Sequence, residues 1–177
     1  MRESNMTIAE LKNQLEANLK VILYLCEGAS DEQMRFKPTE SRWSLLEVIN
    51  HLADEEYEDF RACLSNMMED PAIDWPDIRP FDWVETRKYR RRDPAESISR
   101  FRNERKKSLA WLGRIQEPDL SVAHTAKDRL EPVMHIGDIV ASWAVHDYFH
   151  IRQMTNLKWE YLMKTAEPYS CRYAGEY

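Results

Sequence analysis

The sequence predicts an all-α fold: a four-helix bundle with a long crossover between its second and third helices. Three observations predict it. Four long segments space their apolar residues three and four apart, the period of one helix face. No strand-rich block, internal repeat or low-complexity tract interrupts them. The connections over 69–93 and 115–135 are too long for tight turns between antiparallel neighbours.

In the first segment Ile8, Leu11, Leu15, Ile22 and Leu25 follow the 3–4 spacing, with Leu19 filling part of the gap. Gly28 follows as a C-terminal stop. The second begins at Ser44, because Ser44-Leu45-Leu46-Glu47 has the S-x-x-E form of a capping box. Leu45, Ile49, Leu52, Phe60, Cys63, Leu64 and Met67 then make one apolar arc, expected to end before Pro71. Residues 69–93, with Pro71, Pro76 and Pro80, read as a crossover, so helices two and three are expected to run parallel. Asp93-Pro94, an N-cap with proline at the first helical position, opens the third helix. Ile98, Phe101, Leu109 and Leu112 form its stripe, and Gly113 sits near its end. The connection over 115–135 carries Pro118 and Pro132 and has room for a short hairpin. The fourth helix starts near His135–Asp138, with Ile139, Trp143, His146, His150, Met154 and Leu157 on one face.

Composition excludes several function classes. At 177 residues the chain is expected to form a single domain over 1–177. With 43% hydrophobic and 32% charged residues it is neither disordered nor fibrous. A net charge of −6 argues against a dedicated nucleic-acid binder, and four scattered glycines leave no phosphate-binding loop. Three cysteines without a C-x-x-C suit reduced thiols. With no signal-like apolar region and no run long enough for a membrane span, a cytoplasmic location is expected. Residues 85–107 set ten basic side chains against four acids. No aromatic platform accompanies them, so they read as a solvated crossover and outer helix face matched by acids elsewhere.

The chemistry concentrates in histidines. His146 and His150 are one helical turn apart, about 40° around the axis and about 6 Å along it, so both can face one point. Both lie within an apolar stripe, where imidazole nitrogens must be satisfied. His51, at the edge of the second helix's arc, is the natural third partner. A divalent cation on three neutral imidazoles would repay their desolvation and leave a position open for water or substrate. Hydrogen-bonded pocket histidines are the other reading of this spacing. Glu55, one turn after His51, is placed to orient a ligand, bind the ion or act on bound water. The run H-D-Y-F-H is not H-E-x-x-H, so zincin chemistry does not transfer.

The segment W-S-L-L-E-V-I-N-H-L-A-D-E-E over Trp43–Glu56, with H-D-Y-F-H-I-R-Q-M over His146–Met154, resembles the DinB superfamily. That resemblance covers nearly the whole chain. It implies an up-down-down-up bundle, commonly a homodimer, and a divalent metal on three histidines. The matching positions here are His51, His146 and His150. Zinc or nickel is the implied metal, with manganese or iron as alternatives. The implied reaction is transfer of a low-molecular-weight thiol to a small electrophile. A hydrolase using metal-bound water and a non-catalytic dimeric binding module are the other readings. Arg152 stands where a related sulfoxide-synthase branch has glutamate, which argues against that iron chemistry.

Glu55 is the candidate catalytic residue, and Trp43, Trp143 and Arg105 are candidate pocket residues for a small-molecule substrate, a place in the core being the other reading of both tryptophans. For Arg105, which interrupts the third stripe, snorkelling to the surface competes with a grip on an anionic substrate. His135 is expected to cap the fourth helix, His124 to lie at the surface, and Cys171 to be an inert exposed thiol. Glu56 and Asp59 are expected to pair with basic residues across an interface.

Overall fold

Side chains just outside the helices set where they begin. The computed structural model describes residues 6–126 and 133–175. Helix α1 (Ile8–Cys26) starts from a Thr7–Glu10 capping box, and Gly28 takes φ +70° just beyond its end, a conformation that costs glycine little. Helix α3 (Leu45–Glu55) starts from the Ser44–Glu47 box read in the sequence. Ser44 Oγ accepts from the Glu47 N–H at 3.2 Å, and Glu47 Oε2 accepts from the Ser44 N–H at 2.7 Å. Both residues are buried. Replacing Ser44 by alanine is therefore expected to cost about 0.5–2 kcal/mol, read as a lower urea midpoint at unchanged slope. Asp93 caps α6 (Pro94–Leu112), with Pro94 in its first turn. His135 caps α7 (Ile136–Thr165) together with Asp138.

Helix α3 does not simply run on to its expected end. A π-helical turn, Glu56–Phe60, separates it from α4 (Arg61–Glu69). Two short helices went unread in the sequence: α2 (Asp31–Arg35), capped by Ser30, and α5 (Pro80–Thr86) inside the crossover. An isolated antiparallel bridge joins Ala123 to His135. The rest of the expected hairpin, with Pro132, lies outside the described residues.

Side-chain pairs give the helix directions. Asn18 meets Asp147 and Leu25 meets Lys158, so α1 and α7 run parallel. The α1 start meets Glu117, just past α6, while Leu15 meets Arg105, so α1 and α6 are antiparallel. Asn50 meets Ser97 and Arg61 meets Ser108, so α3–α4 and α6 run parallel. His51 meets His150 while Glu56 meets Trp143, so α3 and α7 are antiparallel. The bundle is up-down-down-up, and its parallel middle pair requires the crossover.

The apolar core has two halves. One gathers Ile22, Leu46, Ile49, Leu52, Phe101 and Met154; the other gathers Leu11, Leu15, Phe60, Leu112, Val140 and Trp143. Between them on each long helix falls a buried polar residue: Asn18, Glu56, Arg105 and Asp147. Arg105 neither snorkels nor reaches a substrate. It is fully buried and paired with Glu56 and Asp147. Glu56 is thus paired within the chain and not across an interface.

The basic segment is partly internal. Arg87, Arg100 and the Tyr89 hydroxyl all donate to Asp54, and Arg92 donates to Asn50 Oδ1 at 3.0 Å. These contacts strap the crossover and α6 onto α3. His124 corrects its surface expectation: it is buried, its Nε2 lies 3.1 Å from the Ile73 carbonyl, and its ring packs on Trp75. Cys171 is partly exposed and unbridged. Among the described residues no helix is long and apolar enough to cross a membrane.

Candidate metal centre

Helices α3 and α7 cross where His51 faces His146 and His150. The three Nε2 atoms stand 3.1, 3.1 and 3.4 Å apart. Three nitrogens bound at 2.0–2.1 Å around one tetrahedral ion would stand about 3.3–3.4 Å apart. The spacing therefore suits a single cation.

The hydrogen bonding of the rings suits one too. Gln153 Oε1 accepts from His150 Nδ1 at 2.8 Å, which leaves the His150 Nε2 lone pair directed at the other rings. His51 Nδ1 is buried without a hydrogen-bond partner, 3.7 Å from Glu55 Oε1. Burial, reinforced by the neighbouring His150 and His146, pushes His51 down to about 2. Burial, with His150 and Arg105, pushes His146 down to about 3. Burial also lowers His150. Neutral rings with convergent nitrogens are the ligand form that divalent transition metals take.

Glu55 completes the inner wall. Its Oε2 is 3.3 Å from His146 Nε2. Burial, with Asp59 and Glu56 nearby, pushes its carboxyl up to about 8. The π-helical turn explains how Asp59 joins it. Along an α-helix the eight residues from His51 to Asp59 would advance about 80° around the axis. The wider π turn absorbs the extra rotation, and both carboxylates line the same cavity. Turns of this kind recur at functional sites.

That cavity has a volume of about 610 Å³, in the range of small-molecule sites. Trp43, Phe60, Phe81 and Phe149 supply its apolar lining, and the three histidines, Glu55 and Asp59 its polar side. The Trp43 ring is 4.9 Å from that of His51 and lies parallel to that of His150 at 6.3 Å. Arg42 is held by both carboxylate oxygens of Glu160, at 2.7 and 2.8 Å.

The structure thus brings together His51, His146, His150, Glu55 and Trp43. Trp143 and Arg105, also expected in the pocket, lie beneath it in the core and line no part of the cavity. Asp59, Phe81, Phe149 and Gln153 were not read as site residues. The four-residue step from Glu55 to Asp59 and the three-residue step from His150 to Gln153 were the signals for two of them. Phe81 arrives on α5, which no periodicity announced.

Comparison with known proteins extends this picture. The family model of the DinB superfamily matches residues 14–154. No functionally curated protein matches the chain. Among solved structures, YfiT from Bacillus subtilis is similar at 16% identity, covering 89% of each chain with a TM-score of 0.75. That protein is described as "a probable metal-dependent hydrolase with an unusual four-helix bundle topology". At this identity the likeness shows a shared fold.

Proposed function

The chain belongs to the DinB superfamily, and from that premise we propose that it is a divalent-metal-dependent hydrolase of a small, largely apolar substrate. One observation carries the reading. Three Nε2 atoms converge beside the Glu55 carboxylate, and the cavity opens on these same residues. His51, His146 and His150 would hold the ion, with zinc or nickel best suited to imidazole donors. When bound, such an ion supplies Lewis acidity and lowers the pKa of a water or thiol.

The chain's own residues supply the remainder. In its ionised form, which a cation on the neighbouring imidazoles would favour, Glu55 takes the proton of the attacking water and returns it to the leaving group. Gln153 fixes the His150 ring through Nδ1. Trp43, Phe60 and Phe149 hold the apolar part of the substrate and exclude bulk water.

A second reading, transfer of a thiol, would use the same three donors and the same cavity. In it a low-molecular-weight thiol gives its proton to bulk water, its sulfur forms a bond to an electrophilic carbon, and the bond from that carbon to the leaving group breaks, the leaving group departing with the bonding electrons. The homodimer implied by the family resemblance belongs to both readings.

The test is to purify the protein without chelator, measure bound metal, and assay esters and amides alone and electrophiles with thiols. Hydrolysis that falls about 10²–10⁴-fold in Glu55→Gln while metal stays bound supports the first reading. A thioether product whose rate tolerates Glu55→Gln supports the second. Protein carrying metal but inert in both assays argues for the binding module.

A further inference from the structure

We propose that Arg105 is a positioning residue that holds the two ligand-bearing helices at the height where the three imidazoles meet. The inference rests on the metal reading above. Arg105 lies on α6, which carries none of the ligands, yet its guanidinium touches three other elements. Nη1 and Nη2 each reach an Asp147 carboxylate oxygen at 2.7 Å. Nη2 is also 2.7 Å from Glu56 Oε1, and Nη1 donates to the Leu15 carbonyl at 3.1 Å.

The two acids sit beside the chemistry. Asp147 follows His146, and Glu56 follows Glu55 at the start of the π turn that presents Asp59. Glu56 Oε1 also accepts from Trp143 Nε1 at 2.9 Å, and Asn18 donates to Asp147 at 3.0 Å. One planar cation therefore ties the backbone beside His146 to the backbone beside Glu55. Arginine suits this because its fork fixes direction as well as distance.

Stability alone is a weak reason for such a group. A buried ion cluster replaced as a whole by uncharged side chains of similar size commonly leaves a fold as stable or more so. What the uncharged version lacks is the guanidinium fork between Asp147 on α7 and Glu56 in the π turn, which leaves the Trp143 N–H to reach residue 56 without it. Apolar contacts in the two core halves lack the direction that a bidentate ion pair adds to the height of one helix against another.

Two variants separate position from stability. Arg105→Lys keeps the charge and loses the fork. The triple variant Arg105→Met, Glu56→Gln, Asp147→Asn removes all the charges together, so no ion is left buried alone. Leu11→Ala, in the core half that gathers Leu15, Leu112 and Val140, is the control for lost stability. The readouts are zinc affinity by chelator competition, the visible absorption of bound Co²⁺, and the histidine ring resonances of the metal-free proteins.

The expected result is zinc binding weaker by about 10–100-fold in both variants, with an altered Co²⁺ spectrum and shifted resonances of the three rings. Leu11→Ala should unfold earlier and change none of these. Folded variants with wild-type affinity, spectrum and resonances would overturn the proposal. A wild type that binds no metal overturns the metal reading instead. The ring resonances then decide the positioning role alone: displaced rings support it and unmoved rings overturn it.

Discussion

Replacing His150 by alanine should weaken zinc binding by at least about 100-fold, the upper end of what losing a supporting contact alone costs. Three donors within 3.4 Å of one another share the load, and His150 is 3.1 Å from each of the other two. It is also the ring whose tautomer Gln153 sets. Two imidazoles would remain, with the Glu55 carboxylate 3.3 Å from His146 Nε2. The metal-free fold should suffer far less, because the lost ring is neutral and its Nε2 faces only other rings. Stability therefore separates the two states. Zinc at 100 times its dissociation constant should stabilise the wild type by about 2.7 kcal/mol, and the same zinc concentration should stabilise the variant by about 0.4 kcal/mol or less. Competition titration and thermal unfolding with and without zinc check both parts. Full zinc occupancy in His150→Ala would remove this histidine from the ligand set.

Trp143→Ala should cost about 3–5 kcal/mol, the range for truncating a large buried aromatic. The ring is fully buried and lies nearly parallel to Phe60 at 5.5 Å between centroids. Its N–H is the second donor to Glu56 Oε1. Truncation opens a void in one half of the core and takes a hydrogen bond from a buried carboxylate. Phe60 packs in turn against His146 at 5.1 Å, so the void lies one side chain from the metal donors. Trp143→Phe keeps most of the packing and loses only the donor, so it should recover more than half of the loss. Urea denaturation measures both variants. A cost below about 1 kcal/mol for Trp143→Ala would mean that the core closes around the missing ring.

What the sequence disclosed depended on whether the determining interactions were local. Ser44 with Glu47, Asp93 with Pro94 and His135 with Asp138 act within one turn, and each helix start was readable. His146 and His150 were readable because a four-residue step on one helix has a fixed geometry. His51 was readable as their third partner from the edge of the second helix's arc, and the family resemblance matched the same position. Arg105 and Trp143 were misplaced because each is defined by partners on other helices. A charged residue in an apolar stripe looks the same whether it reaches water or two buried acids. The π turn was invisible because no residue type demands it. Asp59 was accordingly assigned to an interface, although it faces the cavity. His124 was placed at the surface because its neighbours are small and polar, whereas Trp75 and Ile73 cover it.

The parallel packing of α1 against α7 has a consequence for how the chain reaches this structure. The first and last long helices are neighbours, so the final closure joins segments from opposite ends of the polypeptide. His51 likewise meets His146 across 95 positions of chain. Contacts so distant pay their loop-closure entropy late and lower the folding rate relative to an up-and-down bundle joined by short turns. The donors are therefore expected to assemble late in folding. An ion that prefers the assembled set then acts mainly by slowing unfolding, and leaves the rate of the forward reaction nearly unchanged.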